Sequence, residues 1–148
     1  MREDASTYLL DINVLIAPID PAHVHHDVAH VWLKATGRRH WASCPLTENG
    51  GIRFVSHAKC PNCIGSPGMA ADVKARFCAL PGHAFWPDDI SVLDGNHIDT
   101  SRLLGCSQIT DSYLLALANA HDGQLATFDN RLVVDDVRGG RAALHLIA

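Results

Sequence analysis

The chain has 148 residues, 47% of them hydrophobic and 19% charged, and its formal net charge is −4. That length predicts one domain over residues 1–148 with a core of its own, and no apolar run approaches the ~18 residues that a membrane-spanning helix needs. The negative balance argues against a protein that coats nucleic acid by bulk charge, but it leaves room for an enzyme that collects carboxylates at one site behind a local basic rim.

Short strand-like and helix-like runs alternate along the chain, which predicts an α/β fold with a mostly parallel sheet. The polar start Met1-Arg2-Glu3-Asp4 and the short apolar run after it do not read as a secretory signal. Tyr8-Leu9-Leu10 is the first strand and ends at Asp11, and a helical turn over Val14-Leu15-Ile16 follows. Asp20-Pro21 predicts a helix start, an N-cap followed by proline in the first turn. Val24, Val28, Val31, Trp32 and Ala35 then share one face of a 3.6-residue period. The same stretch carries His23, His25, His26 and His30, which read as the exposed polar face opposite that stripe.

His40-Trp41-Ala42-Ser43 is a second strand. Pro45 opens a helix to about His57, despite Gly50-Gly51, each of which costs roughly 1 kcal/mol against alanine. Residues 57–65 read as a loop. Ser66-Pro67 opens a helix with Ala70, Val73, Phe77 and Leu80 on one face, closed by Pro81-Gly82, and Ala84-Phe85-Trp86 is a third strand. Thr110-Asp111 opens the clearest helix, through about His121, and Asp122-Gly123 ends it. Leu125-Ala126-Thr127 and Ala143-Leu144-His145-Leu146 supply the fourth and fifth strands.

In open α/β sheets, functional groups gather beyond the carboxyl ends of the strands. Asp11 and Asp129 follow two such ends, and Glu48 and Asp111 stand in the first turns of two helices. Each has a bland explanation alone, since acids cap helices and turns. Asp11 carries the most weight, because it sits in the apolar run Leu9-Leu10-Asp11-Ile12-Asn13-Val14 and a buried carboxylate needs a partner. Together, four nearby acids repel one another unless cations lie between them. Oxygen donors without histidine suit Mg²⁺ or Mn²⁺ better than zinc.

Leu9-Leu10-Asp11-Ile12-Asn13-Val14-Leu15-Ile16, Pro45-Leu46-Thr47-Glu48-Asn49-Gly50, Ile109-Thr110-Asp111-Ser112-Tyr113 and Thr127-Phe128-Asp129 resemble the ordered motifs of PIN-domain proteins, VapC-type toxins of prokaryotic toxin–antitoxin pairs above all. The likeness covers nearly the whole chain. It implies a three-layer α/β/α sandwich and a metal-dependent endoribonuclease that cuts phosphodiesters with metal-activated water, leaving a 5′-phosphate and a 3′-hydroxyl. It places Asp11, Glu48, Asp111 and Asp129 at the metal site and Asn13, Thr110 and Thr127 in polar support. Gly51 stands where the family commonly has an aromatic or aliphatic residue. The likeness further implies an RNA substrate, a cognate antitoxin and a homodimer. Arg38, Arg39, Arg53, Lys59 and Arg131, near element ends, are candidates for the RNA-binding rim.

Five cysteines at irregular spacing, with no export signal, read as reduced thiols in a cytoplasmic protein. Cys60-Pro61-Asn62-Cys63 has the spacing of half a zinc site. The alternative is therefore a non-catalytic PIN-like module that binds RNA or protein, with structural zinc at Cys60 and Cys63. An aspartate-nucleophile phosphatase also ends its first strand in Asp, but Asn13 occupies the place of that chemistry's second Asp.

Overall fold

The computed structural model describes residues 6–57 and 65–148. Its elements in chain order are β1 (Tyr8–Leu10), α1 (Ile12–Ile16), α2 (His26–Ala35), β2 (Trp41–Ser43), α3 (Pro45–Val55), α4 (Pro67–Cys78), β3 (His83–Phe85), α5 (Gln108–Ala120), β4 (Gln124–Thr127) and β5 (Leu144–Leu146). Every neighbouring pair of strands is parallel, in the order β3-β2-β1-β4-β5. The chain steps outward from β1 to β3 and then crosses back to β4, so the order reverses between β1 and β4. Beyond the carboxyl ends of those two strands lies the crevice that such a reversal opens.

Successive strand residues point to opposite faces of a sheet, and both faces here are covered. Leu9, Ala42 and Leu125 pack with Leu114, Leu115, Leu117 and Ala118 of α5. Leu10, Trp41 and Ala126 pack with Val14 and Leu15 of α1 and Ala29 and Leu33 of α2. The result is the three-layer α/β/α sandwich expected. Helix α5 is buried at every residue from Ser112 to Ala118, so half-buried Asp111 stands directly before its buried segment. Among the described residues, no helix is long and apolar enough to cross a membrane.

Several sequence expectations shift. Helix α2 starts at His26 and not at Asp20, because the Asp20 carboxylate closes a local turn by accepting from the Ala22 N–H at 3.0 Å. Its valine stripe faces solvent, with Val24 85% and Val31 69% exposed, while Ala29 and Leu33 face the core. The histidines pack instead. His25 stacks on Phe128 at 4.4 Å, and His26 Nδ1 and His30 Nε2 lie 2.8 and 3.0 Å from the carbonyls of Ala17 and Pro18. An imidazole offers a flat apolar face and a polar edge at once, so His25 and His26 pack partly buried at the helix start, while Ala29 and Leu33 take the inward positions. Helix α5 begins two residues before Thr110, and β3 runs one residue earlier than expected, because Gly82 adopts φ +96° and turns the chain tightly over the carbonyls of Arg38 and Arg39.

Candidate active site

Asp11 leaves β1 in an extended conformation and caps α1, its Oδ1 accepting from the Ile12 N–H at 2.8 Å. Its Oδ2 accepts from the Thr127 hydroxyl at 2.7 Å. Thr127 is the last residue of β4 and fully buried. Its one oxygen also accepts from Asn13 Nδ2 at 3.3 Å and from the Asp129 N–H at 3.1 Å. A single hydroxyl thus ties together the ends of β1 and β4, the two strands that flank the crevice.

The electrostatics of this edge are unfavourable for bare carboxylates. Burial raises the Asp11 carboxyl above its ordinary range, outweighing the hydrogen bonds from Thr127 and Ile12, and the charge of Asp129 adds to it. Asp111, half-buried in the first turn of α5, is pushed up to about 6, first by burial and then by Asp11 and Asp129. The fold therefore couples three of the four predicted acids. Beside them, Asn13 Oδ1 is buried and has no hydrogen-bond partner among the described residues. Repelling carboxylates and an unpartnered amide oxygen form an all-oxygen donor set, which fits a hard divalent cation.

Glu48 is oriented differently. Pro45 opens α3, the Thr47 hydroxyl accepts from the Cys44 N–H at 3.1 Å, and Asp88 accepts from the Leu46 N–H at 3.1 Å. These contacts set the first turn so that Glu48 Oε2 accepts from the Ser43 hydroxyl at 2.5 Å. The Ser43 oxygen is 2.7 Å from His83 Nε2 and 4.0 Å from Cys78 Sγ. Among the described residues, Glu48, Cys78 and His83 form the one set of three ligand atoms within 4.8 Å of one another. Glu48 is not among the groups that shift Asp11 or Asp111. Buried Lys74 lies behind it; a Cβ on Gly51 would come within 2.9 Å of the Lys74 Nζ, so this glycine is the space into which the lysine stem packs.

The remaining candidates scatter. Thr110 is exposed at the start of α5. Arg131 is exposed and its backbone N–H donates to Asp129 Oδ1 at 2.9 Å, which puts it beside the aspartates. Arg53 is exposed in the last turn of α3, more than one turn from Glu48. Arg38 and Arg39 immediately precede β2, so in a parallel sheet they stand at the amino edge, opposite the aspartates. Lys59, Cys60 and Cys63 lie outside the described residues. Sequence reasoning passed over Ser43 and Cys78, and weighed His83 only as a loosely placed helper of the half-site at Cys60 and Cys63, not with Glu48. Ser43 ends a strand on the functional edge and could have been noticed for that, whereas nothing in their spacing links Cys78 and His83 to Glu48. It also missed Asp136, 1% exposed, which accepts from the Ser112 hydroxyl and pins the segment after β4 to α5.

No family model matches the chain. It is 45% identical over 131 residues to a protein of Mycobacterium tuberculosis named Ribonuclease VapC44, a match that covers 88% of this chain and 92% of that relative. Ribonuclease VapC39 of the same organism is 39% identical over 126 residues, covering 85% of this chain and 91% of its own. Ribonuclease VapC29 is 40% identical over 126 residues, covering 85% and 88%.

Proposed function

This chain belongs to the VapC ribonucleases of the PIN-domain family, and from that premise we propose that it cleaves RNA at the crevice between β1 and β4, with Asp11, Asp111 and Asp129 holding Mg²⁺ or Mn²⁺ and Glu48 as the fourth acid. The activity is that of an endoribonuclease toxin, a hydrolase. The observation that carries the site is the joint placement of three aspartates whose charges oppose one another around an unpartnered amide oxygen. When bound there, a divalent cation supplies Lewis acidity, lowering the pKa of water and offsetting charge on the phosphate.

The protein's own residues do the positioning. Thr127 holds Asp11 and Asp129 in register through one hydroxyl. Asn13 donates its amide N–H to Thr127 and keeps its buried oxygen unpartnered among the described residues. Glu48 would hold the ion from the β2 side, where the Ser43 hydroxyl now orients its carboxylate. Arg131 meets the phosphate backbone, and Arg53 extends that contact along α3. Thr110 supports Asp111 from the helix start. Cleavage leaves a 5′-phosphate and a 3′-hydroxyl.

The same reading assigns a cytoplasmic homodimer silenced by a cognate antitoxin. An arginine-bearing antitoxin segment complements the carboxylate crevice. The outward valines Val24 and Val31 support the dimer by leaving apolar surface for a second copy to cover. The test is sequencing of RNA 5′ ends after brief induction of the wild type and of Asp11→Asn. Discrete new ends in the wild type alone support the reading, and identical ends in both reject it.

A further inference from the structure

We propose that Glu48, Cys78 and His83 form a second cation site, for a borderline-soft divalent ion of the zinc type, and that filling it withdraws Glu48 from the aspartate crevice. The binding half stands on the residues alone. The withdrawal half rests on the reading of Glu48 as an active-site acid.

The donor set carries the first half. Its three ligand atoms, one carboxylate oxygen, one sulfur and one imidazole nitrogen, already lie within 4.8 Å of one another. They come from three elements: the first turn of α3, the last residue of α4 and the first residue of β3. Thiolate and imidazole select zinc-like ions, whereas Mg²⁺ and Mn²⁺ prefer all-oxygen sites. Three protein ligands leave a fourth position open, as in exchangeable zinc sites. All three side chains are half-buried, so an ion can reach them from solvent.

Ser43 explains how the ligands stay gathered. It has one hydroxyl proton and donates it to Glu48, so the contact with His83 is an Nε2–H donated to the serine oxygen. On coordination the Cys78 thiol proton leaves to solvent and the His83 ring proton moves from Nε2 to Nδ1. No electron is transferred. Thiolate and carboxylate together balance the ion's two charges. The buried Lys74 ammonium beside Cys78 and Glu48 opposes the ion and moderates its affinity.

The aspartates and Glu48 share the carboxyl edge of the sheet, and Glu48, the only acid of the proposed active site in the second cluster, reaches back toward Cys78 and the start of β3. A zinc-type ion held there keeps Glu48 against β2 and β3. RNA cleavage supported by Mg²⁺ then falls while RNA affinity through the arginines persists.

Cobalt titration of the metal-free protein tests the binding half, because a thiolate ligand gives Co²⁺ a charge-transfer band in the near ultraviolet. The starting protein is Cys60→Ser/Cys63→Ser, which removes the other closely spaced thiols. One equivalent of Co²⁺ should raise the band there and equally in the added Asp11→Asn variant. Cys78→Ser should lose it, and His83→Ala should weaken binding by about tenfold or more, with unchanged circular dichroism. Cys78→Ala serves if the serine variant does not fold. A missing band, or one that survives both Cys78 variants, overturns the site. For the second half, Zn²⁺ should inhibit Mg²⁺-supported cleavage in the starting protein and spare Cys78→Ser. Equal inhibition of both, with the cobalt band intact, overturns the withdrawal of Glu48 alone. If the ribonuclease reading itself fails, no cleavage appears with any metal, whatever the cobalt band does.

Discussion

Two clusters lie on one parallel sheet, the first at its carboxyl edge and the second running from Glu48 at that edge back to His83 at the start of β3, and they are chemically unlike. Around β1 and β4, Asp11, Asp111, Asp129 and the Asn13 oxygen form a set of hard donors, in which burial first and neighbouring aspartate charge second raise the pKa values of Asp11 and Asp111. Around β2 and β3, Glu48 accepts a hydrogen bond from a serine hydroxyl and faces sulfur and imidazole. The first arrangement is opposed by its own charge, which a cation would offset. The second is satisfied by hydrogen bonds and needs no ion to stay together. Position on a sheet edge thus selects where chemistry occurs, and donor type selects which ion can take part.

The comparison breaks most sharply at Asp11. Asp11→Asn should lower Mg²⁺-supported RNA cleavage by about a hundredfold or more, the scale of losing a group that acts in the transition state. In the absence of metal, the variant should melt no lower than the wild type at neutral pH, since it removes a buried charge. Full activity in this variant would reject the aspartate site.

Thr127→Val is expected to have the next largest effect. It strands the Asp11 and Asp129 contacts and should destabilise the fold by about 1–3 kcal/mol, with cleavage reduced by about tenfold. Thr127→Ser keeps the hydroxyl and should recover most of both. Chemical denaturation and initial rates measure the two effects, and a valine variant with wild-type rates would show that the hub is not needed.

The pH dependence distinguishes the charge-opposed cluster from the satisfied one. Asp111 moves from an ordinary 3.8 to about 6 on folding. Between those values the folded chain binds more protons than the unfolded one, so metal-free stability should fall as pH rises through that window. Asp111→Asn should flatten the fall, and Mg²⁺ should reverse it in the wild type. Cleavage should rise through about pH 6 as Asp111 releases its proton to the cation's advantage. Thermal melts across pH with and without Mg²⁺ decide the matter, and a metal-free stability that climbs over this range would contradict the coupling.

The smallest expected effect concerns the rim. Arg131→Ala should weaken RNA binding a few-fold and reduce the salt slope by about one. Arg38→Ala and Arg39→Ala, at the amino edge, should leave both unchanged. Equal losses at the two edges would mean that RNA wraps the whole sheet.

Much of this protein was legible in its residues. A carboxylate inside Leu9-Leu10-Asp11-Ile12 cannot be buried without a reason, so its importance followed from local chemistry. The strands were legible because short apolar runs stood between turn residues, and α5 because Leu114, Leu117 and Ala118 repeat at helical spacing. The face of α2 was not, since a period shows that a stripe exists but not whether a neighbour covers it. The valines lost the inward position to Ala29 and Leu33, while His25 and His26 pack against a ring face and a carbonyl.

The local sequence alone determined which segments become strands and helices and which acids sit at their ends, because propensity, capping and burial cost act within a few residues. Only the tertiary structure decided the company those acids keep. Thr127 and Asp11 are separated by 116 positions, and Cys78 and Ser43 by 35. Thr127 and Asp11 meet because β4 pairs with β1 where the strand order reverses, and Cys78 and Ser43 because α4 and β3 bring the chain back beside β2; both follow from packing the whole sheet, which no local pattern encodes.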